Sequence, residues 1–534
     1  MATPQLYDLD TYLSLLNDLY PRLLTQIDRD PDSPTYGSCD RGFWMYRLHD
    51  FDSGVLQQAS LTLAALAALA DEVDLSPYPN LNPQHKDVWV TLARAINRRT
   101  VSLLARNGML DEYYPGEQSF PGTIFTSYAT LKSALLLEQD SVVHSQGLRK
   151  TARQFLKRGA SAAANQDVAA AAFLALYSST LHWKQAQSEA VLEDMVSRPE
   201  QDSFFMEYGG MDVGYSTVTL NYLGYMHADG SFRVENQLNT LGSMLADFIT
   251  PGGYLGGEFA SRSTTYFLPF GFMQAAYQNK ENASHFAPLN LSSAYTRLDD
   301  RYLMHYCLPA LAMGALALAK AGEPKQTKQS SSKDWLTKAY PQVQLYALRR
   351  QDSAVFLGLN KGGALQIEHE GKHFVDTGYR LTRDGNTFAT CVLQEEVPID
   401  VGETDTGVEF NIEAQFLRYG ALTASPLKTI ALRILSFFGP ALNTLFKRIL
   451  IQAPRSLPDV FLQRRIRLDT TTNELHVEDK LEGLQEGDEL TLAPASSFRL
   501  VPSAKFHQPG EEDALSASLV PLEGKAFSQT FDLN

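Results

Sequence analysis

The hydrophobic pattern of this chain changes period once, and that change constrains the fold more than any other feature. Up to about residue 321, apolar residues recur at helical spacing, as in Leu9, Tyr12, Leu13, Leu16, Leu19, Tyr20 and Leu23. The polar stretch GEPKQTKQSSSKDW (322–335) follows and reads as a linker. Beyond it the period becomes two, in short runs such as VQLYALRR, AVFLGLN, ALQIEHE, FLQRRIRLD and ELHVEDKL separated by turns. Helices of 12–20 residues joined by polar, aromatic-rich loops fit a solenoid or a closed ring of helical hairpins. No fixed-period repeat is present, which disfavours the solenoid. The expectation is an α+β multidomain chain: an incomplete α/α toroid over 1–321, a linker over 322–335, and an antiparallel β-sandwich over 336–534.

One segment breaks the second period. LKTIALRILSFFGPALNTLFKRILI, at about 427–451, is helical in spacing and carries Lys428, Arg433, Lys447 and Arg448 with no acidic residue. Pro440 should break or kink it. It is expected as a helical insertion that touches a membrane surface or a partner, or packs its apolar side on the rest of the chain.

Composition removes several function classes. A net charge of −15 lacks the basic footprint a nucleic-acid binder needs. Cys39, Cys307 and Cys391 are too widely spaced for a zinc motif or a disulfide framework. The first residues show no basic region followed by an uncharged apolar run, and no stretch is long and apolar enough to span a bilayer. The expected location is therefore cytoplasmic, with membrane association through 427–451. No phosphate loop or nucleophile elbow is present, and no cofactor is expected. His369 and His373, in HEGKH, have spacing seen among zinc ligands, but the residues between them read as a hairpin turn and no further ligand stands nearby, so no metal is expected.

The chemistry concentrates between residues 205 and 266. Glycine pairs at Gly209-Gly210, Gly252-Gly253 and Gly256-Gly257 alternate with Glu207, Tyr208, Asp212, Tyr215, Glu258, Arg262 and Tyr266. Carboxylates, tyrosines and an arginine on such turns suit a polyhydroxylated, acidic ligand. Tyr113 lies in a second polar, aromatic loop, DEYYPGEQSF. Arg301 and His305, four residues apart, would share a helix face and form an anion site. Asn165-Gln166 opens an Ala-rich helix, where Asn also serves as an N-cap.

These stretches resemble the heparinase II/III-like proteins, which join an α/α toroid to a β-sandwich. The resemblance spans most of the chain and is clearest in DEYYPGEQSF, ANQDVAAAAFLALY, EYGGMDVGY, GGEFASRSTTYFLPFGF, DDRYLMHY and HEGKHFVDTGY. It is nearest to the branch that accompanies polysaccharide biosynthesis genes, and so points to exopolysaccharide, capsule or O-antigen metabolism. Characterised members are polysaccharide lyases acting on uronic-acid glycans. The resemblance implies catalytic roles for Asn165, Gln166 and Tyr215, with Gln166 standing where the family has histidine; His305 is a further catalytic candidate from its place one turn after Arg301. The clustering of polar and aromatic residues in turns and at helix starts makes Tyr113, Glu207, Asp212, Glu258, Arg262, Tyr266 and Arg301 the expected substrate-binding residues. Gln does not titrate near neutrality, so histidine-type proton transfer at 166 is not expected. Three readings stay open: a lyase cleaving an acidic polysaccharide by β-elimination, a glycoside hydrolase or uronyl C5-epimerase on the same scaffold, and a non-catalytic glycan-binding or assembly protein.

Overall fold

The computed structural model describes residues 6–158, 163–196, 205–207, 209–291, 295, 298–327, 334–394, 397–404, 406–419, 425–436, 456–493 and 526–534. Its first helices are α1 (Leu9–Gln26), α2 (Arg41–Trp44), α3 (Ala59–Leu69), α4 (Lys86–Leu104), α5 (Phe120–Leu136) and α6 (Asp140–Val143). Next come α7 (Gln146–Phe155), α8 (Ala164–Leu181), α9 (Gln185–Val196), α10 (Val213–Ala228) and α11 (Glu235–Ala246). The set before the strands closes with α12 (Pro269–Gln278), α13 (Lys280–Phe286), α14 (Asp300–Tyr302) and α15 (Leu308–Ala321).

Six of these form an inner ring. In order, α3, α5, α8, α10, α12 and α15 each pack on the next, and α15 returns to α3. Their sequences explain the position: α3 (ASLTLAALAAL) and α8 are apolar or small all round and buried nearly everywhere, as a helix enclosed on every side must be. The outer helices α1, α4 and α7 bury one stripe only. Small residues let the inner backbones approach. A Cβ at Gly271 of α12 would sit 2.6 Å from the Leu220 and Asn221 backbone of α10, so only glycine permits that crossing.

The strands are β1 (Leu336–Tyr340), β2 (Leu345–Arg350), β3 (Ser353–Gly358), β4 (Ala364–His369), β5 (Lys372–Asp376), β6 (Tyr379–Arg383) and β7 (Asn386–Ala389). They continue with β8 (Ile399–Thr404), β9 (Gly407–Arg418), β10 (Ser456–Asp469), β11 (Glu474–Glu482), β12 (Glu489–Leu492) and β13 (Ala526–Asp532). One sheet runs β1-β2-β3-β4-β5; the other runs β12-β6-β7-β9-β10-β11-β13, with β8 also on β9. Every named pairing is antiparallel.

Strand β3 shows how the two halves join. It is buried along its whole length. Val355 and Leu357 face the second sheet and pack with Phe410, Ile412, Leu462 and Ile466. Ala354 and Phe356, on the other face, belong to the toroid core. The Phe356 ring lies 5.7 Å from Phe248 and 5.2 Å from Phe259. Period two thus gives one sheet two buried faces, one for each half of the molecule.

Helix α16 (Pro426–Ser436) lies in the connection between the paired strands β9 and β10. It covers the first part of the segment expected at 427–451; the rest of that segment lies outside the described residues. No described helix is long and apolar enough to cross a membrane.

The two histidines of HEGKH do not converge. Glu370 and Gly371 both have positive φ (49° and 78°) and turn the chain between β4 and β5, as the sequence suggests. His369 pairs with Lys372 and Glu368 with His373, so alternation puts the two imidazoles on opposite faces of the sheet. No cluster of three metal-binding side chains occurs among the described residues.

Candidate functional site

The inner helices all begin at the same end of the ring. Hydrogen bonds between their starts establish this. Thr126 near the start of α5 donates to the Gly54 carbonyl before α3, and Leu268 N–H before α12 donates to Thr217 in α10. The Asn165 N–H of α8 donates to Glu207 just ahead of α10, at 2.7 Å. Tyr306, leading into α15, sets its ring edge-on to Phe125 of α5 at 5.1 Å. Helix N-termini carry partial positive charge and unpaired N–H groups, so their convergence favours an anionic ligand at this end.

The stretch at 205–212 and the turn at 258–266 build the wall. Asp212 is the N-cap of α10: it accepts from the Tyr215 N–H at 3.1 Å. The same carboxyl accepts from the Arg262 N–H (3.0 Å), the Thr264 N–H (3.3 Å) and the Thr264 hydroxyl. Burial pushes its pKa up against these bonds. Glu207 caps α8 through the Asn165 N–H, and burial, reinforced by Asp212 and Asp167, holds it well above the usual carboxylate range. Asn165 is itself buried and lies one residue inside the helix, whose N-cap is Ala163, so it is not the cap its sequence position suggested. Gln166 beside it is half-buried.

Tyrosines line the mouth. Tyr215, in the first turn of α10, is half-buried and hydrogen-bonds the Tyr302 hydroxyl. The Tyr266 ring lies 6.2 Å from that of Tyr215, 5.8 Å from Tyr302 and 6.3 Å from Tyr306. Tyr266 is fully buried, and its hydroxyl has no hydrogen-bond partner among the described residues. Burial raises the pKa of Tyr266, Tyr302 and Tyr306, keeping all three protonated at neutral pH.

Arg301 faces this group from the other rim. It pairs with Glu112 and its guanidinium stands 4.7 Å from the ring centre of the exposed Tyr113. Glu112 also accepts from Ser119, the N-cap of α5, at 2.5 Å. The chain passes from α14 into a π-helical turn, Leu303–Cys307, before α15. That turn replaces the plain α-helical spacing on which a shared face for Arg301 and His305 was expected; the His305 side chain lies outside the described residues, as does Tyr208.

The structure therefore gathers Asn165, Gln166, Glu207, Asp212, Tyr215, Glu258, Arg262, Tyr266, Tyr113 and Arg301 at one end of the ring. It divides them by exposure. Glu207, Asp212, Glu258 and Tyr266 are buried and form the wall behind the lining, whereas Tyr215, Gln166, Tyr113 and Arg301 keep solvent-facing area. Glu207, Asp212, Glu258 and Tyr266 were expected as substrate-binding residues, and each is buried in the structure. Sequence reasoning missed Glu112, Tyr302 and Tyr306; the spacing of Tyr302 and Tyr306 in DDRYLMHY was the available signal.

The β-sandwich reaches into the wall. Lys361, between β3 and β4, is buried, and its ammonium donates to the carbonyls of Glu258 (2.6 Å) and Ala260 (2.8 Å) and to the Ser263 hydroxyl (2.7 Å). Burial lowers its pKa. Glu368 accepts from the Gly252 N–H in the same seam.

No protein-family model matches the chain, and no curated protein matches it in sequence. Among solved structures it is similar to a Paenibacillus xanthan lyase, with 8% identity and a TM-score of 0.50, over 91% of this chain and 46% of that one. The chain thus spans less than half the length of that lyase. A Streptomyces coelicolor A3 chondroitin AC lyase in complex with chondroitin sulphate gives 10% identity and a TM-score of 0.45, over 93% of this chain and 75% of that one. The likeness to the xanthan lyase identifies the fold as polysaccharide-lyase-like.

Proposed function

We propose that this chain is a lyase that cleaves a uronic-acid-containing glycan by β-elimination, within the heparinase II/III-like group that its motifs resemble. The observation that carries the reading is the Tyr215–Tyr302 hydroxyl pair at the end of the ring where helix N-termini converge and Arg301 stands. β-Elimination needs three things of a protein. It must hold the uronate carboxyl as charge builds on it, take the proton from C5, and return a proton to the leaving oxygen.

Each requirement has a candidate. Arg301 supplies a cation for the carboxylate, and Gln166, half-buried at the start of α8 with the buried Asn165 behind it, supplies an amide group. Tyr215 handles the proton, with Tyr302 beside it as a hydroxyl kept neutral by burial. The hydrolase reading needs two working carboxylates across a cleft. Its candidates Glu207, Asp212 and Glu258 are buried, and two of them serve as helix caps, so elimination is favoured.

The test is incubation with a panel of uronate polysaccharides, read by the ultraviolet absorbance of the C4–C5 double bond. Unsaturated product supports the proposal. New reducing ends without unsaturation would indicate hydrolysis, and binding without turnover would indicate a glycan-binding protein; either result overturns it.

A further inference from the structure

Half of the large, well-exposed apolar side chains among the described residues lie in two short segments. Met45, Tyr46 and Leu48 follow α2, and Leu427, Ile430 and Ile434 lie on α16. The spacing of the second set, three then four residues, puts it on one helix face. That face is open: Leu427 is 80% exposed, Ile430 56% and Ile434 55%. Leu48 is 79% exposed.

An ion pair between Arg433 and Asp50 at 3.2 Å brings the two segments together, although they come from opposite halves of the chain. Arg47 has φ of +53°, a left-handed backbone that a residue with a side chain adopts rarely, and it shapes the turn bearing Tyr46 and Leu48. Charge follows the same division. Residues 41–50 contain Arg41, Arg47 and one acid, Asp50, which pairs with Arg433; the described residues 426–436 contain Lys428 and Arg433 and no acid. In a chain of net charge −15, a local run of cations beside unpartnered aliphatics needs a partner that is both anionic and apolar. Arg41 donates to the Tyr46 hydroxyl at 2.6 Å and stands 5.0 Å from its ring centre, an aromatic–cation pair suited to a headgroup layer.

We infer that this surface docks peripherally on an anionic lipid bilayer, with Leu427, Ile430, Ile434 and Leu48 entering the acyl boundary and the arginines meeting headgroups. The inference is independent of the proposed reaction, because it is read by binding rather than turnover.

Vesicle co-sedimentation tests it with the full chain. Vesicles of phosphatidylcholine alone are compared with vesicles containing about a quarter phosphatidylglycerol. The expected result is sedimentation with the anionic vesicles at low salt, release as salt rises, and a loss of at least roughly tenfold in partitioning for Leu427→Glu/Ile430→Glu/Ile434→Glu. Leu48→Glu, from the other segment, should weaken binding in the same direction. All four positions are exposed, so unchanged thermal melts should accompany these losses. A wild type that stays in the supernatant, equal binding to neutral vesicles, or a triple variant that binds as well as wild type overturns the inference. So does concentration-dependent self-association without vesicle binding that the triple variant abolishes, which would make the surface an interface between copies.

Discussion

Two parts of the molecule bury charge and hydroxyls, and they do it differently. In the sandwich, Arg464 is buried and its guanidinium donates to Asp479 at 2.7 and 2.6 Å, to Asp376 at 3.0 Å and to the Gly363 carbonyl at 3.2 Å. Asp479 also accepts from Tyr379 at 3.0 Å. Its two carboxylates raise the arginine's pKa against the cost of burial. At the end of the ring, by contrast, the Tyr266 hydroxyl and one Glu207 oxygen have no hydrogen-bond partner among the described residues. A buried polar group is costly when unpaired, so native interiors keep few of them. The sandwich network locks a structure, whereas the ring's end leaves a buried hydroxyl and a buried carboxylate oxygen unmatched among the described residues.

Four measurements bear on that contrast, in falling order of effect. Tyr215→Phe removes one hydroxyl from the open region and leaves its ring in place. Turnover should fall by about 10² to 10⁴ with little change in stability, and full retention of kcat would remove Tyr215 from the chemistry. Arg464→Met opens the closed network and leaves Asp376 and Asp479 facing each other. A destabilisation of about 3–5 kcal/mol is expected in urea unfolding; a loss under about 1 kcal/mol would show that the network is not locking the sandwich.

Asp52 offers a pH readout. It is buried, bonds Arg99 at 3.0 Å and Ser38 at 3.0 Å, and burial pushes its carboxyl up to about 6. A raised folded-state pKa means that the folded chain holds the proton more tightly than the unfolded one. The stabilisation is therefore full below the ordinary carboxylate range and is lost as pH rises to about 6. Relative to Asp52→Asn, the wild type should lose about 2–3 kcal/mol across that window, read from Tm at successive pH values. A flat difference would mean that the carboxyl titrates normally. The smallest effect belongs to Tyr266→Phe, which deletes an unpartnered hydroxyl and should change stability by less than about 1 kcal/mol in either direction. A larger loss in calorimetry would reveal a bond that this hydroxyl makes.

The helices legible in the sequence were those with long, unbroken patterns, such as α8 and α10. Helices α12 and α13 are harder to read, because Pro269 and Gly271 are residue types that usually interrupt a helix. Proline at the first helical position and glycine at a helix crossing are both compatible with a helix, but only the neighbouring chain reveals that use. Strand β9 (GVEFNIEAQFLR) alternates cleanly over twelve residues, so its period is legible in the sequence. At the site, Tyr215 and Asn165 could be found from their places at helix starts. The Glu112–Arg301 pair could not, since it joins residues 189 positions apart and depends on the ring closing. Nor does sequence separate a lining tyrosine from a supporting one: Tyr215 and Tyr266 lie in similar glycine-rich surroundings, and their exposure comes from packing.

Lys361 gives the molecule an order of assembly. The turn it grips holds Asp212 through Arg262 and Thr264, and Asp212 in turn starts the helix bearing Tyr215. During synthesis the ring's helices leave the ribosome first and can pack on one another. The amine that fastens the turn between α11 and α12 emerges only with the first strands of the sandwich. Until then every side chain of the cleft has been translated, yet the turn behind Tyr215 is still unfastened, so the site matures only when the second half of the chain arrives.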